Sequence, residues 1–174
     1  MRGLMMDEPL TLASIVERAS RYFPRVEVVS RRPDGTLSRI NYAALAKRVR
    51  RLARAFQEAG LARGDRVATL MWNHSAHVEA YFGAPLAGGI VHPLNLRLHP
   101  DEIAYISNHA EDRFLIVDDV LWPVFERFRD KTRFERVWVV HYGGMRAPPG
   151  AESYETLLAH SSEDFEFPEI DENE

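Results

Sequence analysis

Residues 64–119, GDRVATLMWNHSAHVEAYFGAPLAGGIVHPLNLRLHPDEIAYISNHAEDRFLIVDD, read as strand, helix, strand, helix, strand with little between. Residues 66–71 (RVATLM) are a short apolar run with the Val and Leu content of a buried strand. Ser75 can cap a helix running through Gly88, with Gly89 as its stop. Ile90 and Val91 form a second strand, ended by Pro93, whose nitrogen cannot donate to a sheet ladder. Pro100 stands where a first helical residue belongs, and Glu102 puts a negative charge at the positive end of the helix dipole. That helix reaches His109, and residues 114–117 (FLIV) are the third strand. Strands alternating with helices of roughly ten to fifteen residues specify an α/β fold, a mainly parallel sheet with helices on both faces.

The flanking sequence extends the same pattern. Residues 10–23 place Leu12, Ile15, Val16, Ala19 and Phe23 at helical spacing, with Thr11 as a cap and Pro24 as the end. Residues 26–30 and 36–40 are short strands around Arg32-Pro33-Asp34-Gly35, where Pro presets one dihedral and Gly accepts a positive one. This hairpin is expected on an edge of the sheet. Residues 42–60 form the strongest helix, with Tyr42, Leu45, Val49, Leu52, Ala53 and Phe56 on one stripe and Gly60 as its stop. Downstream, residues 120–130 suit a helix with Pro123 in its first turn. Residues 136–140 (RVWVV) suit a fourth buried strand, residues 143–150 a Gly- and Pro-rich loop, and residues 154–160 a last short helix.

Composition narrows the classes. A chain of 174 residues can bury roughly 70% of its unfolded surface in one domain. With 45% hydrophobic and 28% charged residues, it has the make-up of a soluble globular protein. Its apolar runs fall short of the roughly 18 residues of a membrane span, and MRGLMMDEPL does not read as a signal peptide. There is no Cys, which removes disulfides and thiolate chemistry, and a cytoplasmic location is the expectation. The net charge of −4 is unevenly spread: residues 161–174, SSEDFEFPEIDENE, hold seven acids and no base. Residues 1–160 therefore read as a single α/β subdomain, and 161–174 as a solvated acidic linker or tail.

Few residues carry chemistry. His74 and His77, with Glu79 nearby, sit three apart at a helix start, but a zinc site needs a third ligand and supporting partners, and no HExxH is present. The preferred reading is local: Asn73 and His74 end a strand and cap or pack the following helix. Ser75 lacks the Gly-x-Ser-x-Gly setting of an activated nucleophile. Asp118 and Asp119 follow a strand's carboxyl end, where open α/β sheets bind ligands. Neighbours on an extended chain point apart, however, so a helix cap by Asp119 is preferred over a shared ligand site. Lys47, Arg48, Arg50, Arg51 and Arg54 line the polar face of the long helix. No aromatics interleave with them, so they read as a solvated face, and no nucleic-acid partner is expected. Neither a Gly-x-Gly-x-x-Gly nor a Gly-x-x-x-x-Gly-Lys-Ser/Thr loop occurs; Gly83, Gly88 and Gly89 read as helix packing and a helix stop.

Taken in order, LTLASIVERASRYF at 10–23, NYAAL at 41–45, GDRVA at 64–68, WNHS at 72–75, EAYFGA at 79–84, AGGIVHPLN at 87–95 and DEIAYI at 101–106 make the chain resemble an acyl-CoA synthetase of the adenylate-forming ligase superfamily. The likeness is to the N-terminal part of bacterial medium- and long-chain fatty acyl-CoA ligases. It implies the first subdomain of the large N-terminal domain, a scaffold ahead of the phosphate loop, the adenine motif and the catalytic lid. No catalytic, cofactor-binding or metal-binding residue carries over, because none of those motifs lies in this span. The full-length enzyme would use ATP, Mg²⁺ and CoA. This chain is expected to be an inactive fragment whose partners are the downstream ligase domains, and a homodimer or larger species through its exposed apolar surface. A stand-alone interaction or ligand-binding module that reuses the scaffold is the alternative. One departure is His99, where the family favours a Ser or Thr cap, which puts the start of the Pro100 helix in question.

Overall fold

The computed structural model describes residues 9–145, 148 and 151–172. The first eight residues, part of the loop at 143–150 and the end of the acidic stretch lie outside them. Helix α1 (Leu12–Tyr22) leads into an antiparallel hairpin of β1 (Glu27–Arg31) and β2 (Leu37–Asn41), then into α2 (Tyr42–Glu58). There follow β3 (Arg66–Leu70), α3 (Ser75–Leu86), β4 (Ile90–Pro93), α4 (Pro100–His109) and β5 (Asp112–Asp118). The chain continues through α5 (Trp122–Glu126), β6 (Arg136–Val140), the two-residue β7 (Glu152–Ser153) and α6 (Tyr154–His160). Strands β3 to β7 form one parallel sheet in the order β4-β3-β5-β6-β7. All four strands expected from the apolar runs are in it; β7 is too short to show in the sequence.

Alternation along the strands splits the interior in two. Val67, Phe114, Ile116 and Trp138 pack with Val16 of α1, the apolar stripe of α2, Ala80 and Ala84 of α3, and Leu158 of α6. Ala68, Leu70, Leu115, Val117 and Val139 face the other way, onto Ile103 and Ala104 of α4 and Trp122 and Phe125 of α5. Helices thus cover both faces, as a parallel sheet requires. On the first face α3 crosses α2 so closely that Gly83 lies against the Leu52 side chain.

Several local expectations need correction. The hairpin does not join an edge of the parallel sheet but forms its own two-stranded sheet. Its inward cross-strand pair, Val28 and Ile40, packs on the helical layer and not beside a strand. Helix α3 has His74, not Ser75, at its N-cap position; Ser75 is its first residue and donates its N–H to Ser30 Oγ at 2.9 Å. The helix closes at Leu86, and Gly88, with φ +93°, makes the stop one residue before Gly89. The helix expected at 120–130 is three pieces: a 3₁₀ turn at Asp119–Leu121, α5, and a second 3₁₀ turn at Arg129–Lys131. Its buried aromatics, Trp122, Phe125 and Phe128, recur every third residue, which suits tighter winding than 3.6 residues per turn. His99 does start α4: its Nδ1 accepts the Asp101 N–H at 3.3 Å while Glu102 accepts the His99 N–H at 2.8 Å, a capping box built on an imidazole.

Candidate functional site

The sheet order has one switch point. From β3 the chain moves to β4 on one side, then returns past β3 to β5 and continues outward. The crevice at the carboxyl ends of β3 and β5 is where such folds bind ligands. His74 lies beyond the end of β3, and Asp118 ends β5, so the winding brings together two residues that stand 44 positions apart. The His74 Nε2–H donates to Asp118 Oδ1 at 2.8 Å, and the Trp72 N–H donates to Oδ2 at 2.7 Å. The His74 ring stacks on Tyr142 at 4.2 Å between centroids, and the Tyr142 hydroxyl donates to the Arg31 carbonyl, tying the hairpin to the sheet. Burial, with Asp118 behind it, raises the Tyr142 phenol above its ordinary range.

Asp119 points elsewhere, as adjacent residues on an extended chain must. It caps no helix. Its Oδ1 accepts the Val120 and Gly143 N–H groups at 2.8 and 2.7 Å, and Oδ2 accepts that of Met145 at 2.7 Å, so it anchors the loop after β6. His77 also parts from His74. Its Nδ1 lies 3.2 Å from the Trp72 carbonyl, which can only accept, so Nδ1 carries the proton and Nε2 accepts from the Thr69 hydroxyl at 3.0 Å. Burial holds this imidazole below its usual pKa, with His74 adding to the effect. Among the described residues no group of three or more His, Asp or Glu is placed to hold a metal.

Glu79 belongs to a third cluster. Fully buried on α3, it accepts from Arg48 Nε at 2.7 Å and from the Tyr154 hydroxyl at 2.8 Å, while Arg48 also grips Glu155 at 2.6 and 2.9 Å. Burial raises the Glu79 carboxyl against the pull of Arg48. The other bases of α2 are answered from within the chain too. Lys47 and Arg51 reach Glu163 at 3.1 and 3.6 Å, and Arg54 pairs with Glu58 at 2.7 Å. Arg50 donates to the Phe165 carbonyl at 3.0 Å and lies 4.5 Å over the Phe167 ring. The acidic stretch is therefore not simply solvated: Phe165 is buried in the core and its neighbours cover the basic face.

The sequence pattern did not reveal an aromatic shelf above the switch point. Pro33, Trp72, Asn73, Val120 and Tyr142 line an open depression there, with Trp72 half exposed. Tyr142 follows β6 just as Asp118 ends β5, and the carboxyl-end rule applied to every strand would have flagged it. The residues present do not fit a triphosphate and its Mg²⁺: Asp118 and Asp119 have their oxygens committed to N–H donors, and Arg48 is held between two glutamates.

Residues 16–169 match the AMP-binding enzyme family. The chain is 44% identical over 95% of its length to a long-chain-fatty-acid–CoA ligase of Thermus thermophilus, covering 30% of that protein. It is 37% identical over 99% of its length to a 3-methylmercaptopropionyl-CoA ligase of Ruegeria lacuscaerulensis, covering 33% of it. It thus spans about a third of the length of the curated relatives it matches. The solved long-chain-fatty-acid-CoA ligase of Archaeoglobus fulgidus superposes with a TM-score of 0.83 at 22% identity, over 98% of this chain and 34% of that one, a likeness of fold.

Proposed function

The chain belongs to the AMP-binding enzyme family, and from that premise we propose that it is the scaffold part of an AMP-forming fatty acid–CoA ligase that supplies no catalytic group itself. The whole enzyme would join a medium- or long-chain fatty acid to CoA, using ATP and Mg²⁺ and releasing AMP and pyrophosphate. The observation that carries this reading is the switch point: Asp118, Asp119, His74 and His77 are all committed to hydrogen bonds that hold β3, β5 and the loop after β6 in place. Transfer at phosphorus needs backbone N–H groups, a base and Mg²⁺ aimed at the developing charge, and those must come from downstream ligase domains. Residues 1–160 would serve as one subdomain, with residues 161–174 leading on from it after crossing α2.

The aromatic shelf is the surface we assign to contact with those domains. In the 174-residue chain alone its apolar area favours a homodimer or larger species. A cytoplasmic location accords with this role, and among the described residues no helix is long and apolar enough to cross a membrane. The test is a chimera in which this chain replaces the corresponding third of the Thermus ligase. It should form acyl-CoA in a manner dependent on ATP, CoA and fatty acid. A chimera that folds with a native circular dichroism spectrum but forms none would contradict the scaffold reading.

A further inference from the structure

Helix α1 carries more apolar surface than the fold covers. Its packed side centres on Val16, the one residue of the helix that is buried. At 100° per residue, Ile15 and Tyr22 both lie about 100–120° to one side of Val16. They are accordingly 53% and 62% exposed, and Phe23 and Val26, where the chain leaves the helix, are 49% and 46% exposed. The same stretch is basic. Between Pro9 and Val26 the sole acid is Glu17, which faces Arg50 at 3.7 Å, whereas Arg18, Arg21 and Arg25 have no carboxylate partner among the described residues. The guanidinium groups of Arg18 and Arg21 lie 5.6 and 5.7 Å from the Tyr22 ring centre, so an amphipathic ring is flanked by two positive charges.

A surface helix with an uncovered apolar flank and arginines that have no carboxylate partner among the described residues matches the chemistry of a bilayer interface. Apolar side chains enter the headgroup boundary, Tyr sits at its level, and arginines meet lipid phosphates. We propose that residues 12–26 form a docking face for an anionic phospholipid surface. A second copy of the chain fits less well, because a two-fold contact would set these arginines against themselves with Glu17 already engaged. The docking does not depend on the ligase reading. If both hold, it brings a fatty-acid enzyme to the phase where its apolar substrate accumulates.

The experiment is flotation of the 174-residue chain with vesicles of phosphatidylcholine alone or with about one third phosphatidylglycerol, at about 0.1 M and 0.5 M salt. Binding should require the anionic lipid and weaken at the higher salt. Each arginine near such a surface contributes about a factor of five, so the triple variant Arg18→Gln/Arg21→Gln/Arg25→Gln should bind on the order of a hundredfold more weakly. Tyr22→Ser/Phe23→Ser should also weaken binding while leaving the melting temperature nearly unchanged, since both side chains are exposed. The control is Arg127→Gln/Arg129→Gln/Arg133→Gln, which removes three exposed arginines on another surface. Absence of binding to anionic vesicles would overturn the proposal, and so would an equal loss in the control. A dimer that the Tyr22/Phe23 variant dissociates would equally overturn it, by showing that a second copy covers this face.

Discussion

Gly83 is where α3 comes hard against α2, and Gly83→Ala should destabilise the fold by about 1 kcal/mol, the balance of two opposing effects. A β-carbon at this position would stand 2.7 Å from Leu52 Cδ2, 2.9 Å from Cγ and 3.1 Å from Cβ. Ordinary carbon contacts lie at about 3.5–4 Å, so Leu52 must retreat by nearly 1 Å in a site with no solvent exposure. Cδ2 could swing aside, but Cβ is fixed to the α2 backbone, so a rotamer change does not clear the overlap. Overpacking of this kind costs about 1–3 kcal/mol. Against it, Ala is preferred over Gly in a helix interior by about 1 kcal/mol. The middle of the steric range leaves a net loss of about 1 kcal/mol, or about 2–4 °C in Tm for a chain of this size. Thermal and urea unfolding followed by circular dichroism would measure it. Leu52→Ala alone should cost about 2–5 kcal/mol by opening a cavity. Combined with Gly83→Ala, the overlaps with Cδ2 and Cγ are gone and only the 3.1 Å approach to Cβ stays, so the pair should cost about 1 kcal/mol less than the sum. A Gly83→Ala protein as stable as the parent, with strict additivity in the double variant, would refute the claim that α2 and α3 are held at this distance.

Other positions give further checks. Gly64 has φ +83° and open space where a β-carbon would stand, so Gly64→Val should cost about 1–3 kcal/mol through backbone strain alone; an unchanged urea midpoint would count against it. His77 is held below its ordinary pKa of 6.5 by burial, so the unfolded chain takes up a proton where the folded chain resists one. The stability this group protects is full above pH 6.5 and declines as pH falls from there toward the folded value. His77→Gln should flatten that decline, and a slope identical to the parent's would contradict it. Phe165→Ala should cost about 3 kcal/mol, because the ring is buried in the core; a loss below about 0.5 kcal/mol, the scale of an ordinary surface change, would show that the acidic stretch does not belong to the core.

The sheet was legible because its strands are short apolar runs, set apart by their length and flanking turn residues and separated by helices of ordinary length. The hairpin's strands were legible too, but not its place, since alternation gives an inward face without saying what lies inside. Residues 120–130 depart from a single helix because Trp122, Phe125 and Phe128 recur in three-residue steps, which suit 3₁₀ turns better than an α-helical stripe. The carboxyl-end rule located Asp118 and Asp119 correctly. What each one does depends on partners far along the chain: His74 for Asp118, and Gly143 and Met145 for Asp119. The same holds for the α2 arginines, whose answering groups, Glu155, Glu163 and the Phe165 carbonyl, come from the last stretch of sequence. Long-range pairing of charges leaves no periodic mark.

In the proposed role this chain holds a ligase together without performing its chemistry. The direct measurement is pyrophosphate release by the purified 174-residue chain, given ATP, Mg²⁺ and a panel of medium- and long-chain fatty acids, with and without CoA. The expected result is release at the background rate under every condition, while the chimera with the Thermus ligase turns over in the same assay. Release by the chain alone that rises with the fatty acid supplied, and is lost when that acid is omitted, would contradict the account.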